Sequence, residues 1–130
     1  MGPAFTTAYR YYHDDPSTEE IEPTVFDSIL VGMAKTYPDD ATYVTDSAAS
    51  ATALSTGVKS YNGAIAVDAE KKPIKTMLEM AKEQGMTTGL VATSQINHAT
   101  PASFAAHNES RRNYDEIAND YVDNLSLIHI

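Results

Sequence analysis

Tyr43-Val44-Thr45-Asp46-Ser47-Ala48-Ala49-Ser50-Ala51-Thr52 is the stretch whose reading decides the rest of the chain. Its β-branched residues predict a short strand over Thr42 to Thr45 that ends at Asp-Ser. The small residues that follow suit the first turns of a helix. That helix is read as Ser47 to Thr56, stopped by Gly57. A serine at such a junction sits where backbone N–H groups point outward and the helix dipole favours negative charge. Two roles fit Ser47: a plain helix cap, or a nucleophile beside a bound phosphate.

Working outward, the hydrophobic periodicity alternates between helix and strand. Pro3 to Tyr12 reads as a helix, with Pro3 suited to its first turn. His13 to Pro23 is acidic and reads as a surface loop. Val25 to Thr36 reads as a helix carrying Phe26, Ile29, Leu30 and Met33 on one face. Pro38-Asp39-Asp40 is a turn. Ile65 to Val67 is a short extended piece, and Ile74, Met77, Leu78 and Ala81 line a helix that Gly85 ends. Thr87 to Thr93 reads as a buried strand centred on Leu90 and Val91. A short helix opens at Pro101, and Asn113 to Asp123 forms a polar helix with Ile117 and Tyr121 on one side. This alternation predicts an α/β fold with a largely parallel sheet. Ligands of such sheets gather outside the carboxyl ends of the strands. Asp46-Ser47 and Asn97-His98 each follow a predicted strand at that edge, so they are expected to converge on one crevice.

A length of 130 residues predicts one domain at most, and 42% hydrophobic residues suffice for a globular core. The net charge of −9 argues against nucleic acid and against an anionic membrane surface as partners. It leaves room for a phosphate ester, because a local cationic pocket overrides the global field. Cysteine is absent, so no disulfide framework is available. No stretch approaches the apolar length of a membrane span, and no basic segment followed by an apolar core marks a signal peptide.

Four blocks in order carry a family resemblance. They are Met1-Gly2-Pro3-Ala4-Phe5-Thr6-Thr7-Ala8-Tyr9-Arg10, the Asp46-Ser47 stretch with Thr56-Gly57-Val58-Lys59-Ser60-Tyr61-Asn62-Gly63-Ala64-Ile65, the segment Asn97-His98-Ala99-Thr100-Pro101-Ala102-Ser103-Phe104-Ala105-Ala106-His107, and Arg111. Together they resemble the alkaline phosphatases over most of the chain. The resemblance implies a three-layer α/β sandwich with a largely parallel central sheet, of which this chain carries an incomplete part. Residues 1–124 are expected to be a partial catalytic domain, truncated at both ends. The start reads as lying inside the first metal-binding loop, after an Asp-Gly pair. Leu125-Ser126-Leu127-Ile128-His129-Ile130 reads as a non-native tail, because a common transposon-adapter DNA encodes those six residues. The alternative for the tail is a genuine apolar strand.

The resemblance also assigns roles. Ser47 is expected to be the nucleophile of phosphate-monoester hydrolysis, passing through a phosphoseryl intermediate. Two zinc ions are expected to flank the phosphorus, one on the serine alkoxide and one on the leaving-group oxygen, with one magnesium ion in a third site. Arg111 is the expected phosphate clamp, since its planar fork holds two non-bridging oxygens at once; the alternative is a solvated arginine like Arg112. Asp46 would orient Arg111, or serve only as a helix-end charge. His98 and Thr100 fall at positions of the magnesium site, to which a threonine hydroxyl is better suited than an imidazole. Their alternatives are a capping or buried histidine and a helix start with Thr100 as N-cap. Most zinc ligands are expected outside this chain. His13, His107 and His129 are read as structural or artefactual, and Tyr9, Tyr11 and Tyr12 as helix packing or interface, not a base-stacking platform. A homodimer in the periplasm or outside the cell is the family expectation for the intact enzyme.

Two rivals remain. A phosphodiesterase or sulfatase relative would carry threonine or formylglycine as nucleophile, against which Asp46-Ser47-Ala48 argues. A phosphate-binding or structural module without turnover would bind phosphate without needing zinc.

Overall fold

The computed structural model describes residues 3–124, so the predicted tail at 125–130 lies outside the described residues. Six helices follow one another: α1 (Pro3–His13), α2 (Val25–Ile29), α3 (Ser47–Thr56), α4 (Met77–Glu83), α5 (Ala99–Ala105) and α6 (Tyr114–Asn124). They fall into two compact units, one ending at Ala34 and the other beginning at Lys35.

In the first unit, Arg10 of α1 forms an ion pair with Asp27 of α2. Asp27 also accepts from the Thr24 N–H at 2.8 Å and from its hydroxyl at 2.9 Å, which fixes the start of α2. The Arg10 guanidinium, with Thr24, holds the Asp27 carboxyl well below the usual carboxylate range. The helix predicted over Val25 to Thr36 stops at Ile29, where Leu30 turns extended. The predicted apolar face of Phe26, Ile29, Leu30 and Met33 is exposed. A short helix without packing for such a face is marginal, which explains why it does not propagate.

The second unit is built on small residues. Ala48, Ala49, Ala51, Thr52 and Ser55 of α3 are buried, as are Ala99, Pro101, Ala102, Ser103 and Ala105 of α5. Short side chains let the two helices approach closely enough for hydroxyls to bond across them. Ser55 Oγ donates to the Ser103 carbonyl at 2.6 Å. Thr52 Oγ1 donates to the Ala64 carbonyl and accepts from the Ala66 N–H, both at 3.0 Å. Ile65 and the α6 residues Ile117 and Tyr121 complete the core, with Leu90 packed at its margin. The Tyr121 hydroxyl escapes burial without a partner by donating to the Ile96 carbonyl at 2.8 Å.

Thr76 and Glu79 form a capping box at the start of α4. Glu79 Oε1 also lies 2.9 Å from His107 Nε2, while His107 Nδ1 lies 2.8 Å from the Ala66 carbonyl. His107 thus has its ring bound within the packing between α4 and the buried Ala66 segment.

The sheet predicted from sequence is where the structure differs. No strand forms among the described residues; two isolated antiparallel bridges occur, Ile65 with Asn108 and Val67 with Pro73. The stretches 42–45 and 87–93, predicted as strands, are irregular, and Tyr43, Val44 and Val91 are exposed. A strand exists through the ladder it shares with a neighbour, and the described residues supply neither stretch with one. The α5 helix starts at Ala99, two residues before the predicted opening at Pro101, with His98 as its N-cap. Thr100 therefore sits inside the helix rather than capping it. No helix among the described residues is long and apolar enough to cross a membrane.

Candidate functional site

The site grows from the start of α3. Asp46 is the N-cap, in extended conformation, and its Oδ1 accepts from the Ala49 N–H at 2.9 Å. Ser47 is the first helical residue, so its side chain stands at the positive end of the helix dipole. At the other end Gly57 takes φ +77, the left-handed conformation that lets its N–H close on the Ala53 carbonyl.

Arg111 arrives from the loop between α5 and α6. Its Nη1 donates to Ser47 Oγ at 2.8 Å and to Asp46 Oδ2 at 3.1 Å. The Arg111 and Asp46 side chains are 23% and 28% exposed, so the pair is shielded yet reachable from solvent. Both contacts use Nη1. Among the described residues Nε and Nη2 of Arg111 have no hydrogen-bond partner, and they remain as donors for an incoming anion. The backbone of Arg111 is held as well, its N–H donating to the Gly63 carbonyl at 2.8 Å. Arg112, by contrast, is exposed.

A cation against a serine hydroxyl at a helix N-terminus has a specific chemical use. It stabilises negative charge on that oxygen and on any phosphate brought beside it. The three groups Asp46, Ser47 and Arg111 are brought together although Ser47 and Arg111 are 64 positions apart in sequence.

The two residues expected at a magnesium site take no part in these hydrogen bonds among the described residues. The His98 side chain makes no capping hydrogen bond at the start of α5, and its ring stacks against Tyr114 at 6.4 Å. Thr100 is exposed on the first turn of α5. No hydrogen bond joins either of them to Ser47, Asp46 or Arg111 among the described residues. No group of three or more His, Cys, Asp or Glu side chains capable of holding a metal ion occurs among the described residues. The described residues therefore do not by themselves build a metal cage.

Sequence reasoning assigns no role to Asn62, which the structure places at the centre of the loop beneath Ser47. Asn62 Oδ1 accepts from the Asp46 N–H at 2.7 Å, and Asn62 Nδ2 donates to the Val44 carbonyl and to Thr42 Oγ1, each at 2.9 Å. The Asn62 N–H donates to Asp40 Oδ2 at 2.8 Å. Donors from Asn62 and Thr42 hold the Asp40 carboxyl below its ordinary range. The Asn-Gly pair at 62–63 carries a turn signal, but a turn signal does not say which distant amide the side chain meets.

The chain matches known proteins over nearly its whole length. A family model described as "Alkaline phosphatase" matches residues 1–126. Alkaline phosphatase 3 of Bacillus subtilis is 58% identical over 126 residues, covering 96% of this chain and 27% of that protein. The repressible alkaline phosphatase of Saccharomyces cerevisiae is 44% identical over 119 residues, covering 91% of this chain and 21% of that protein. Among solved structures, a cold-active alkaline phosphatase from a psychrophilic Shewanella sp. superposes with a TM-score of 0.89 at 65% identity, over 95% of this chain and 31% of that one. A variant of TAB5 alkaline phosphatase with Mg bound in its M3 site superposes with a TM-score of 0.62 at 48% identity, over 63% of this chain and 24% of that one. This chain thus spans about a quarter of the length of the Bacillus subtilis relatives it matches. With a family match from residue 1 to 126, and with relatives this similar, the chain belongs to the alkaline phosphatase family.

Proposed function

We propose that this chain carries the nucleophile and the phosphate clamp of a phosphomonoesterase. The observation behind the proposal is the Arg111 guanidinium held on both Ser47 Oγ and Asp46 at the N-terminus of α3. Arg111 binds the non-bridging oxygens of a phosphate monoester through its remaining donors. Ser47 Oγ attacks phosphorus; the Oγ–P bond forms as the ester P–O bond breaks. The serine proton passes to solvent, the leaving alkoxide takes one up, and water then cleaves the phosphoserine to release phosphate. Asp46 keeps the guanidinium turned toward the reacting oxygen, and the α3 dipole favours its negative charge.

The family resemblance supports two zinc ions and one magnesium ion in the longer protein, with Ser47, His98 and Thr100 as single contributors to sites that other residues complete. Such ions supply the Lewis acidity that makes a serine hydroxyl ionise near neutral pH. The same resemblance supports the three-layer α/β sandwich for the longer protein, with 42–45 and 87–93 as strands once neighbours are present. It also supports a homodimer, and a periplasmic or secreted location.

The test uses the full-length protein that carries this segment. Ser47→Ala should cut p-nitrophenyl phosphate hydrolysis by several orders of magnitude while phosphate still binds. Labelled phosphate trapped at low pH should appear on Ser47. Label on another residue refutes the nucleophile assignment. Hydrolysis unaffected by a chelator refutes the metal requirement.

A further inference from the structure

We propose that Asn62 is a positioning residue for phosphoryl transfer, one that sets the register of Ser47 against Arg111. The inference rests on the reading of Ser47 as nucleophile and Arg111 as clamp. Both groups must stand in one geometry for attack, yet the loop before Ser47 and the loop carrying Arg111 reach the site from different elements. The Asn62-Gly63 pair touches both.

On one side, the Asn62 carboxamide grips the entry to α3. Its oxygen holds the Asp46 N–H at 2.7 Å, and its nitrogen holds the Val44 carbonyl and Thr42 Oγ1. The stretch 42–45 forms no strand and exposes Tyr43 and Val44. Among the described residues, the hydrogen bonds tying Thr42 and Val44 to anything beyond their own loop all end on Asn62. The Asp46 side chain is already used for the cap and for Arg111. The Asp46 carbonyl is taken up by the Ser50 N–H and the Thr45 hydroxyl, and its backbone N–H is the group that ties the turn into Ser47 to Asn62.

On the other side, the next residue grips the clamp. The Gly63 carbonyl accepts the Arg111 N–H at 2.8 Å. Gly63 has φ +94, and a Cβ there would meet nothing within 4 Å, so the demand for glycine is conformational rather than spatial. Two residues further on, Ile65 exchanges both backbone hydrogen bonds with Asn108 at 2.9 Å. The segment 62–65 is thus a strap pinned to the Arg111 loop by its backbone, to the body of α3 by Thr52 at the Ala64 carbonyl and to Asp40 by the Asn62 N–H, while the Asn62 side chain alone ties it to the Asp46 amide that leads into Ser47. Truncating Asn62 cuts that side-chain tie and leaves the other attachments intact. The consequence is lost alignment at the reacting oxygen rather than lost clamping of phosphate.

The experiment is kinetic, on the full-length protein with p-nitrophenyl phosphate, with Ser47→Ala as reference and the thermal transition recorded for each variant. Asn62→Ala should lower kcat by about 10- to 100-fold, the scale of small misplacements of reacting groups. KM should change by less than about threefold, because Arg111 keeps its backbone anchor. In an Arg111→Ala background the same change should cost less than about threefold in kcat/KM, since there is no clamp left to align with. Asn62→Asp keeps an acceptor for the Asp46 N–H but loses the donor to the Val44 carbonyl, so it should recover only part of the lost kcat; it also carries the test if Asn62→Ala does not fold. Equal losses from Asn62→Ala in both backgrounds, or Asn62→Asp no better than Asn62→Ala, would overturn the proposal. If Ser47→Ala retains full activity, the reading of the nucleophile falls instead. If Ser47→Ala is inactive while Asn62→Ala matches wild type, only the role of Asn62 falls.

Discussion

Replacing Asp46 should separate two jobs that one carboxylate performs. Oδ1 caps α3 through the Ala49 N–H at 2.9 Å, and Oδ2 holds Arg111 Nη1 at 3.1 Å. Losing an N-cap acceptor costs about 1 kcal/mol, within a range of about 0.5–2. The ion pair is a quarter exposed on each side (28% and 23%). Screening at that exposure limits it to about 0.5–1 kcal/mol. Asp46→Ala should therefore destabilise the start of α3 by about 1.5–2 kcal/mol, with the cap as the larger share. Asp46→Ser keeps a capping oxygen but is too short to reach the guanidinium, so it should lose only the Arg111 share. The assay is hydrogen–deuterium exchange of peptides spanning α3 in the full-length protein, run beside hydrolysis kinetics. A loss of 1 kcal/mol raises the open fraction about fivefold. Asp46→Ala should thus speed exchange at the first turn by about 10- to 30-fold, while Asp46→Ser stays within about fivefold of wild type. In hydrolysis both variants should be impaired alike, because both release Arg111. Exchange as fast in Asp46→Ser as in Asp46→Ala would refute the cap argument. Wild-type hydrolysis by Asp46→Ser would refute the argument that the carboxylate orients the clamp.

Four further outcomes follow from the same geometry. Arg111→Ala should weaken inorganic phosphate binding and slow turnover, less severely than Ser47→Ala, whereas Arg112→Ala, at an exposed position, should leave both within about twofold; equal effects would show that the wrong arginine has been placed at the site. Gly57→Ala puts a Cβ at φ +77 where nothing crowds it, so its cost should be the backbone's own, about 1–2 kcal/mol, seen as faster exchange in the last turn of α3. Burial pushes the Glu79 carboxyl up, but hydrogen bonds from His107 and the Thr76 N–H outweigh it and hold the group below its ordinary 4.5. A depressed carboxyl stabilises fully above that value and loses its contribution as pH falls through the lower folded value. Protection of α4 should therefore drop on acidification below about pH 4.5, and Glu79→Gln should flatten that part of the profile. Finally, the 130-residue chain by itself exposes Phe26, Leu30, Met33, Tyr43, Val44 and Val91, and its described residues hold no metal cage. Expressed alone, it should aggregate or unfold without cooperativity and show no zinc-dependent hydrolysis; a soluble, cooperatively folding, chelator-sensitive enzyme would overturn that expectation.

What the sequence determined by itself is local or repetitive. The run of small residues after Asp46, closed by Gly57, specifies α3 because capping and termination are decided within a few residues of each end. Ile117 and Tyr121, four apart, mark the buried side of α6 because one turn of helix brings them to the same face. The helix predicted through Ile74, Met77, Leu78 and Ala81 forms, but it starts at Met77, where the capping box of Thr76 and Glu79 sets its first turn and leaves Ile74 outside. The ordered blocks around Ser47, His98 and Arg111 were enough to recognise the family.

Tertiary structure decided what depends on partners far along the chain. The period of Val25 to Thr36 is helical, yet the helix ends at Ile29 because nothing covers its apolar face among the described residues. The β-branched stretches at 42–45 and 87–93 have the composition of strands, but a strand's hydrogen bonds belong to its neighbours, and the described residues provide none. Arg111 and Arg112 are adjacent and chemically alike. The backbone bond to Gly63 turns Arg111 toward Ser47 and leaves Arg112 exposed. Asn62 carries no local mark of its role, since a carboxamide reads the same wherever it points. Its meaning comes from meeting the Asp46 amide 16 residues away, a contact that exists only once the chain has folded.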